Sequence, residues 1–263
     1  MINGETTTIN NGRYYYVDEN NKVNYLPSVT TILGHYFKDE KGSILENWRN
    51  RIGHAEADKI SKFSANRGTM MHSYCENFMS DKYSKLDLNE RLKTILRITY
   101  DSGIKEGFTE DEIRVGRNLF YNFYNANFFL KINKIIMQET MLHSLINGGY
   151  AGRVDKIYES HEGDIIIADY KTSKKPKSED WIKDYKMQIS AYYFAYWEKY
   201  GKKPYSCEIW ISNELNNEPQ MFILYENDIK YYFKLFLKAV QKYHTDFDDG
   251  LNEYLKINLN NDQ

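Results

Sequence analysis

The chain has 263 residues, a formal net charge of −2 and a 16% aromatic share that includes 24 tyrosines. That length buries a sizeable core without disulfide or metal staples, as one large domain or two small ones, and the aromatic content excludes intrinsic disorder. A mean hydropathy of −0.70, with no apolar run near the roughly 20 residues of a membrane span, excludes a transmembrane protein, and 4 Pro with 15 Gly exclude a collagen-like chain.

Residues 1–13 carry one base and no apolar stretch, which predicts neither a signal peptide nor a transit peptide, hence a cytoplasmic protein. Residues 13–25 read as a β-hairpin around a polar turn at Asp18 to Lys22. Pro27 and Ser28 open a short helix to about Phe37. Ser43 with Glu46 forms a capping-box pattern and predicts a helix start there. Another helix is expected from Ser64 to Met79, then two more over about 88–101 and 109–130. Residues 1–131 are therefore expected to be mostly helical.

The pattern changes near Ile132. Strands are expected over 134–143, 150–159 and 164–172, the first two joined by the Asn147-Gly148-Gly149 turn. Ile165, Ile166 and Ile167 suggest that the third strand is buried on both faces. A helix from about Ser178 to Tyr200 follows, stopped by Gly201, then strands over 205–213 and 219–225 and a helix from Asp228 to Phe247. The fold class is α/β, with a core over 132–247 in the order βββαββα and an acidic tail over 248–263.

Charge is unevenly distributed. Residues 168–177 hold Lys171, Lys174, Lys175 and Lys177 against Asp169, while residues 244–263 hold five acids against Lys256. Cys75 and Cys207 are far apart and in no CxxC pair, so they build neither a four-cysteine zinc site nor an iron–sulfur cluster. Two reduced structural thiols are expected.

The informative stretch is 139–192. Strand alternation puts Asp169 and Lys171 on one face at the end of an apolar strand. The preceding strand carries Asp155 and pairs antiparallel through a short loop, which brings the two carboxylates together. Converging buried carboxylates repel each other, and a divalent cation with oxygen ligands, Mg²⁺ or Mn²⁺, removes that conflict. A structural Asp–Lys pair on a sheet edge fits the same local pattern.

Gly152-Arg153-Val154-Asp155, Asp169-Tyr170-Lys171-Thr172 and Gln188-x-x-x-Tyr192, in this order and spacing, resemble the PD-(D/E)XK nuclease superfamily in its RecB-like branch. Arg67-Gly68-Thr69-x-x-His72-x-x-x-Glu76 is similar to the helical motif of that branch. Together with Pro27 to Leu33 and Trp48-Arg49, it is closest to the mitochondrial genome maintenance exonuclease and related phage exonucleases. The resemblance implies a restriction-endonuclease-like core, a central mixed sheet flanked by helices, with the helical part supplying His72 and Glu76.

It further implies Asp155, Asp169 and Lys171 as catalytic residues. His72, Asp155, Asp169, Glu139 and the Tyr170 carbonyl would ligate the metal, with Glu76, Gln188 and Tyr192 in support. Arg67, Thr69, Arg153, Thr172, Ser173, Lys174, Lys175 and Lys177 are candidate nucleic-acid contacts. Without their context, His72 would read as a core histidine, Glu139 as an ordinary strand glutamate, Tyr192 as helix packing and the bases as a solvated face.

The activity so implied is metal-dependent hydrolysis of phosphodiester bonds, leaving a 5′-phosphate and a 3′-hydroxyl, by an exonuclease on single-stranded or frayed DNA ends. Two alternatives are a structure-specific endonuclease on the same core and a non-catalytic DNA-binding protein. A GxxxxGK[ST] loop is absent, so unwinding would need a helicase or replication partner. A lean toward Asn, Lys, Ile and Tyr suits AT-rich codons and a phage or low-GC bacterial source, with a role in replication, recombination or repair.

Overall fold

The computed structural model describes residues 3–9, 12–19 and 22–259, and for Glu19, Lys22, Lys41 and 248–259 the backbone alone. The chain begins with a small antiparallel sheet of β1 (Thr6–Ile9), β2 (Gly12–Glu19) and β3 (Lys22–Pro27). The expected hairpin is β2–β3; the centre of its turn lies outside the described residues. Strand β1 was not anticipated, although its Thr-Thr-Thr-Ile run is β-branched throughout.

Helix α1 (Val29–Tyr36) starts where expected. The Ser28 hydroxyl accepts from the Thr31 N–H at 3.0 Å, and Val29, Ile32 and Leu33 face the core. Two predicted helix starts are corrected. Helix α2 (Lys38–Ile52) begins before Ser43, and α3 (His54–Met79) begins before Ser64. Ser43 and Ser64 lie inside helices, where no free N–H awaits a cap. The true break is Gly53, whose φ of 90° suits a residue without Cβ.

Asp87 caps α4 (Leu88–Lys105), and a genuine capping box of Thr109 and Glu112 opens α5 (Glu110–Asn125). Helix α5 stops short of the expected residue 130, because Asn127 turns left-handed at φ 61° before a short 3₁₀ turn.

The second half follows the expected order: β4 (Ile132–Ser144), β5 (Tyr150–Ser160), β6 (Ile165–Ser173), α6 (Lys183–Tyr200), β7 (Ser206–Asn213), β8 (Gln220–Leu224) and α7 (Glu226–Leu259). Sheet order is β4-β5-β6-β7-β8, with β6 and β7 parallel across the α6 crossover and the other pairs antiparallel. Helix α7 continues past Phe247, so the tail expected from 248 is helical in its backbone to Leu259; 260–263 lie outside the described residues.

The sheet is covered on both faces, as the Ile165–Ile167 run suggested. Ile167, Ile209 and Ile211 pack with side chains of α1, α6 and α7 on one side. Ile166, Ala168, Tyr170 and Trp210 pack with α3 and α5 on the other. Helix α3 lies close against α5 because Gly116 leaves room: a Cβ there would sit 2.5 Å from the Met70 Cβ. That packing sets the position of α3, and with it His72. No helix among the described residues is long and apolar enough to cross a membrane.

Candidate active site

Strands β5 and β6 pair from Glu159↔Ile165 to Lys156↔Ala168 and then part. Asp155 and Asp169 occupy the next register position, at the fork. There the Tyr170 N–H has no strand partner across the gap, and it donates instead to Asp155 Oδ2 at 2.6 Å. Asp169 is 1% exposed and ion-paired with Lys171, two residues on and on the same strand face. From α6, Gln188 Nε2 donates to Asp169 Oδ1 at 3.3 Å and to the Tyr192 hydroxyl at 3.1 Å.

Helix α3 brings His72 to the fork, with Nδ1 3.5 Å from Asp155 Oδ2 and the ring edge-on to Tyr170. Its neighbours Met71, Tyr74 and Cys75 are buried in the α3–α5 core, which holds the helix in place. Glu139, on β4 opposite Asp155, has φ 46° inside a strand. A left-handed glutamate in a strand is sparsely populated and strained. One donor atom each from His72, Glu139 and Asp155 fall within 4.8 Å of one another. Asp169 stands outside that trio, and its Oδ2 faces Lys171.

These groups line a cleft of about 750 Å³. Its electrostatics are strained by design of the burial. Burial works to raise the Asp155 carboxyl, yet His72, Lys171 and the Tyr170 N–H together hold it below the usual range. Burial pushes Asp169 up to about 6, with the Asp155 charge adding to the rise and Lys171 opposing it. Glu139 is pushed up to about 7, by burial first and by Asp155 second. Burial would lower Lys171 and His72, but the surrounding carboxylates keep both above their ordinary values.

The donor set is one imidazole nitrogen with carboxylate oxygens, a set able to hold a divalent metal ion.

Over residues 48–255 the sequence matches the PD-(D/E)XK nuclease superfamily. The chain belongs to the PD-(D/E)XK nuclease superfamily. No curated protein matches it. Solved structures similar to this nuclease include SSO0001, at 18% identity and TM-score 0.31, covering 54% of this chain and 69% of that one. Another is a candidate exonuclease from Eubacterium rectale, at 13% identity and TM-score 0.39, covering 65% of this chain and 66% of that one.

Of the other expected site residues in this nuclease, Glu76, Thr69, Arg153, Thr172, Tyr170 and Tyr192 also line the cleft. The Tyr170 side chain is buried among α3 and α5 side chains, leaving only its backbone toward Asp155. Gly152 exists to admit Tyr192: a Cβ there would lie 2.6 Å from the tyrosine ring.

Two expected contacts are corrected. Arg67 is 4% exposed and ion-paired with Glu214, so its guanidinium tethers α3 to the loop after β7 rather than facing the cleft. Ser173 is buried, its hydroxyl donating to the Lys175 carbonyl at 2.6 Å. Lys174 and Lys175 are exposed but do not line the cleft, and Lys177 faces a neighbouring hollow.

Arg13, Ser28 and Thr30 line the cleft without having been anticipated as site residues. A parallel bridge of Ser28 with Ala151 docks the start of α1 beside β5, and no local spacing reports such a contact. Lys156 was also missed. It points to the opposite sheet face from the cleft, with Nζ 3.6 Å from the Trp210 ring centroid and 4.7 Å from that of Tyr170. Burial pushes it down to about 7, against the charges of Glu208 and Asp155, and the aromatic faces add cation–π contacts.

Proposed function

We propose that this nuclease is a divalent-cation-dependent deoxyribonuclease of the RecB-like branch, similar to the mitochondrial genome maintenance exonuclease and its phage relatives. It hydrolyses phosphodiester bonds of single-stranded or frayed DNA ends. The observation that carries the reading is the convergence of His72 from the helical part with Glu139, Asp155, Asp169 and Lys171 at the fork between β5 and β6.

In this reading His72, Glu139, Asp155 and Asp169 hold Mg²⁺ or Mn²⁺, with the Tyr170 carbonyl as a further ligand. The cation, when bound, supplies Lewis-acid stabilisation of the phosphate and lowers the pKa of water. Lys171 Nζ, kept protonated by Asp169 and Asp155, stabilises negative charge growing on the phosphate oxygens. Gln188 fixes the Asp169 carboxylate through Oδ1, and Tyr192 fixes Gln188. Arg153, Thr69 and Thr172 contact the nucleic-acid backbone at the cleft rim.

The test is incubation of the protein with end-labelled linear and with circular single-stranded DNA, in Mg²⁺, Mn²⁺ or EDTA. Degradation of the linear strand alone, abolished by EDTA, is expected. Cutting of the circle would assign an endonuclease, and binding without cleavage in either metal would overturn the catalytic reading.

A further inference from the structure

The cleft does not end at Lys171. A hollow of about 670 Å³ adjoins it and shares Lys171, Gln188 and Thr30 with it. Through Phe37, Leu45, Asp184 and Tyr185 this hollow runs on into a larger one of about 1110 Å³, between α2 and the start of α6. The walls are aromatic: Phe37 and Tyr185 at the junction, Trp48 and Trp181 farther out.

Trp181 is 71% exposed at the 3₁₀ turn preceding α6, while Ile182 beside it is fully buried and anchors the turn. The core therefore has no use for the indole. Ile44 and Leu45, on the α2 side, are 69% and 52% exposed. Cations accompany the rings. Lys177 Nζ lies 5.6 Å from the Trp181 centroid, Lys183 Nζ 5.8 Å from that of Phe37, and Lys171 Nζ 5.2 Å from that of Tyr185. Arg51 completes the basic set, and Glu40, Asp180 and Asp184 are interleaved with it.

Flat aromatic faces, each with a cation at its side, match the two halves of a nucleotide: a base that stacks and a phosphate that pairs. The interleaved acids disfavour a phosphate backbone lying along the floor, so the bases face inward and the phosphates follow the lysines. A duplex has no unstacked base to offer such a surface. We propose that this trough is a base-stacking subsite for single-stranded nucleic acid, holding nucleotides next to the scissile phosphate on the Lys171 side, with Trp181 as the outer platform. The proposal rests on the nuclease reading and names where its substrate lies.

The experiment measures binding without cleavage: fluorescein-labelled dT20 titrated with the full chain in EDTA, followed by anisotropy. Trp181→Ala should weaken binding about fivefold or more, as the loss of one stacked base does, and Trp181→Phe should restore most of it, since a ring remains. Thermal unfolding should be unchanged in both, because the side chain is mostly exposed. A blunt duplex should compete poorly.

Equal binding of dT20 by wild type and Trp181→Ala would overturn the subsite and leave the trough to an apolar protein partner. A wild type that binds dT20 through Trp181 but cleaves nothing in Mg²⁺ or Mn²⁺ would overturn the catalytic reading while supporting the subsite. A wild type that cleaves, with Trp181→Ala binding as tightly, would do the reverse.

Discussion

Glu139 offers a test of the site that needs neither metal nor substrate. Its carboxyl is raised from 4.5 to about 7 by burial and by Asp155. Between those two values the folded chain holds a proton that the unfolded chain has released. The stability this proton contributes is fully present below pH 4.5 and is lost as pH rises through 7. Linkage over that shift gives a loss of about 2 kcal/mol between pH 5.5 and pH 8. Glu139→Gln has no such proton to lose. Urea unfolding in EDTA at the two pH values, for wild type and Glu139→Gln, isolates the effect as a difference of differences. Wild type should lose about 2 kcal/mol more than the variant. The same variant should bind Mn²⁺ more weakly at pH 8, where the wild-type carboxylate is ionised. Parallel stability profiles for the two proteins would refute the claim that Glu139 is held in an electrostatically strained position.

Lys171→Ala should lower single-turnover cleavage on the order of a thousandfold, about 4 kcal/mol of barrier, while calorimetric Mn²⁺ binding stays nearly intact; cleavage at the wild-type rate would reduce the Asp169–Lys171 pair to a structural one. Asp169→Ala should lose both Mn²⁺ affinity and cleavage, because an oxygen ligand and its charge vanish together. Gly152→Ala drives a Cβ to 2.6 Å from the Tyr192 ring, and should cost about 1–3 kcal/mol in urea unfolding along with a loss of cleavage as Tyr192 and Gln188 shift. Glu208, 2% exposed, accepts from the Tyr158 hydroxyl at 2.9 Å, Trp210 Nε1 at 2.8 Å and Lys131 Nζ at 2.5 Å; Glu208→Ala should cost about 2–4 kcal/mol by stranding the buried Tyr158 and Trp210 donors, and a loss under 1 kcal/mol on a urea curve would contradict the network.

Local pattern determined much of this protein. Period-two alternation placed Asp169 and Lys171 on one strand face, and a short loop forced β5 and β6 antiparallel, so the two aspartates had to meet. The apolar run at Ile165–Ile167 reported burial on both faces, and a β6–α6–β7 crossover follows from strands separated by a helix-length segment. These features are set within a few residues of each other, where backbone geometry decides.

Other features depended on contacts between distant segments. Arg67 sits in a motif that reads as a phosphate contact, but its burial against Glu214 comes from how α3 packs on the sheet. The capping pattern at Ser43 was locally valid yet unused, because the helix entered earlier and no orphan N–H remained to be capped. Glu139 looks like any strand glutamate in the sequence. Its carboxyl is raised by burial and by Asp155 across the β4–β5 pair, with His72 from α3 opposing the rise, and its backbone is left-handed at φ 46°. The aromatic trough is assembled from α1, α2, the β6–α6 connection and α6, and no single segment carries its outline. Charge, strain and cavity shape are sums over neighbours in space, so the tertiary structure alone decides them.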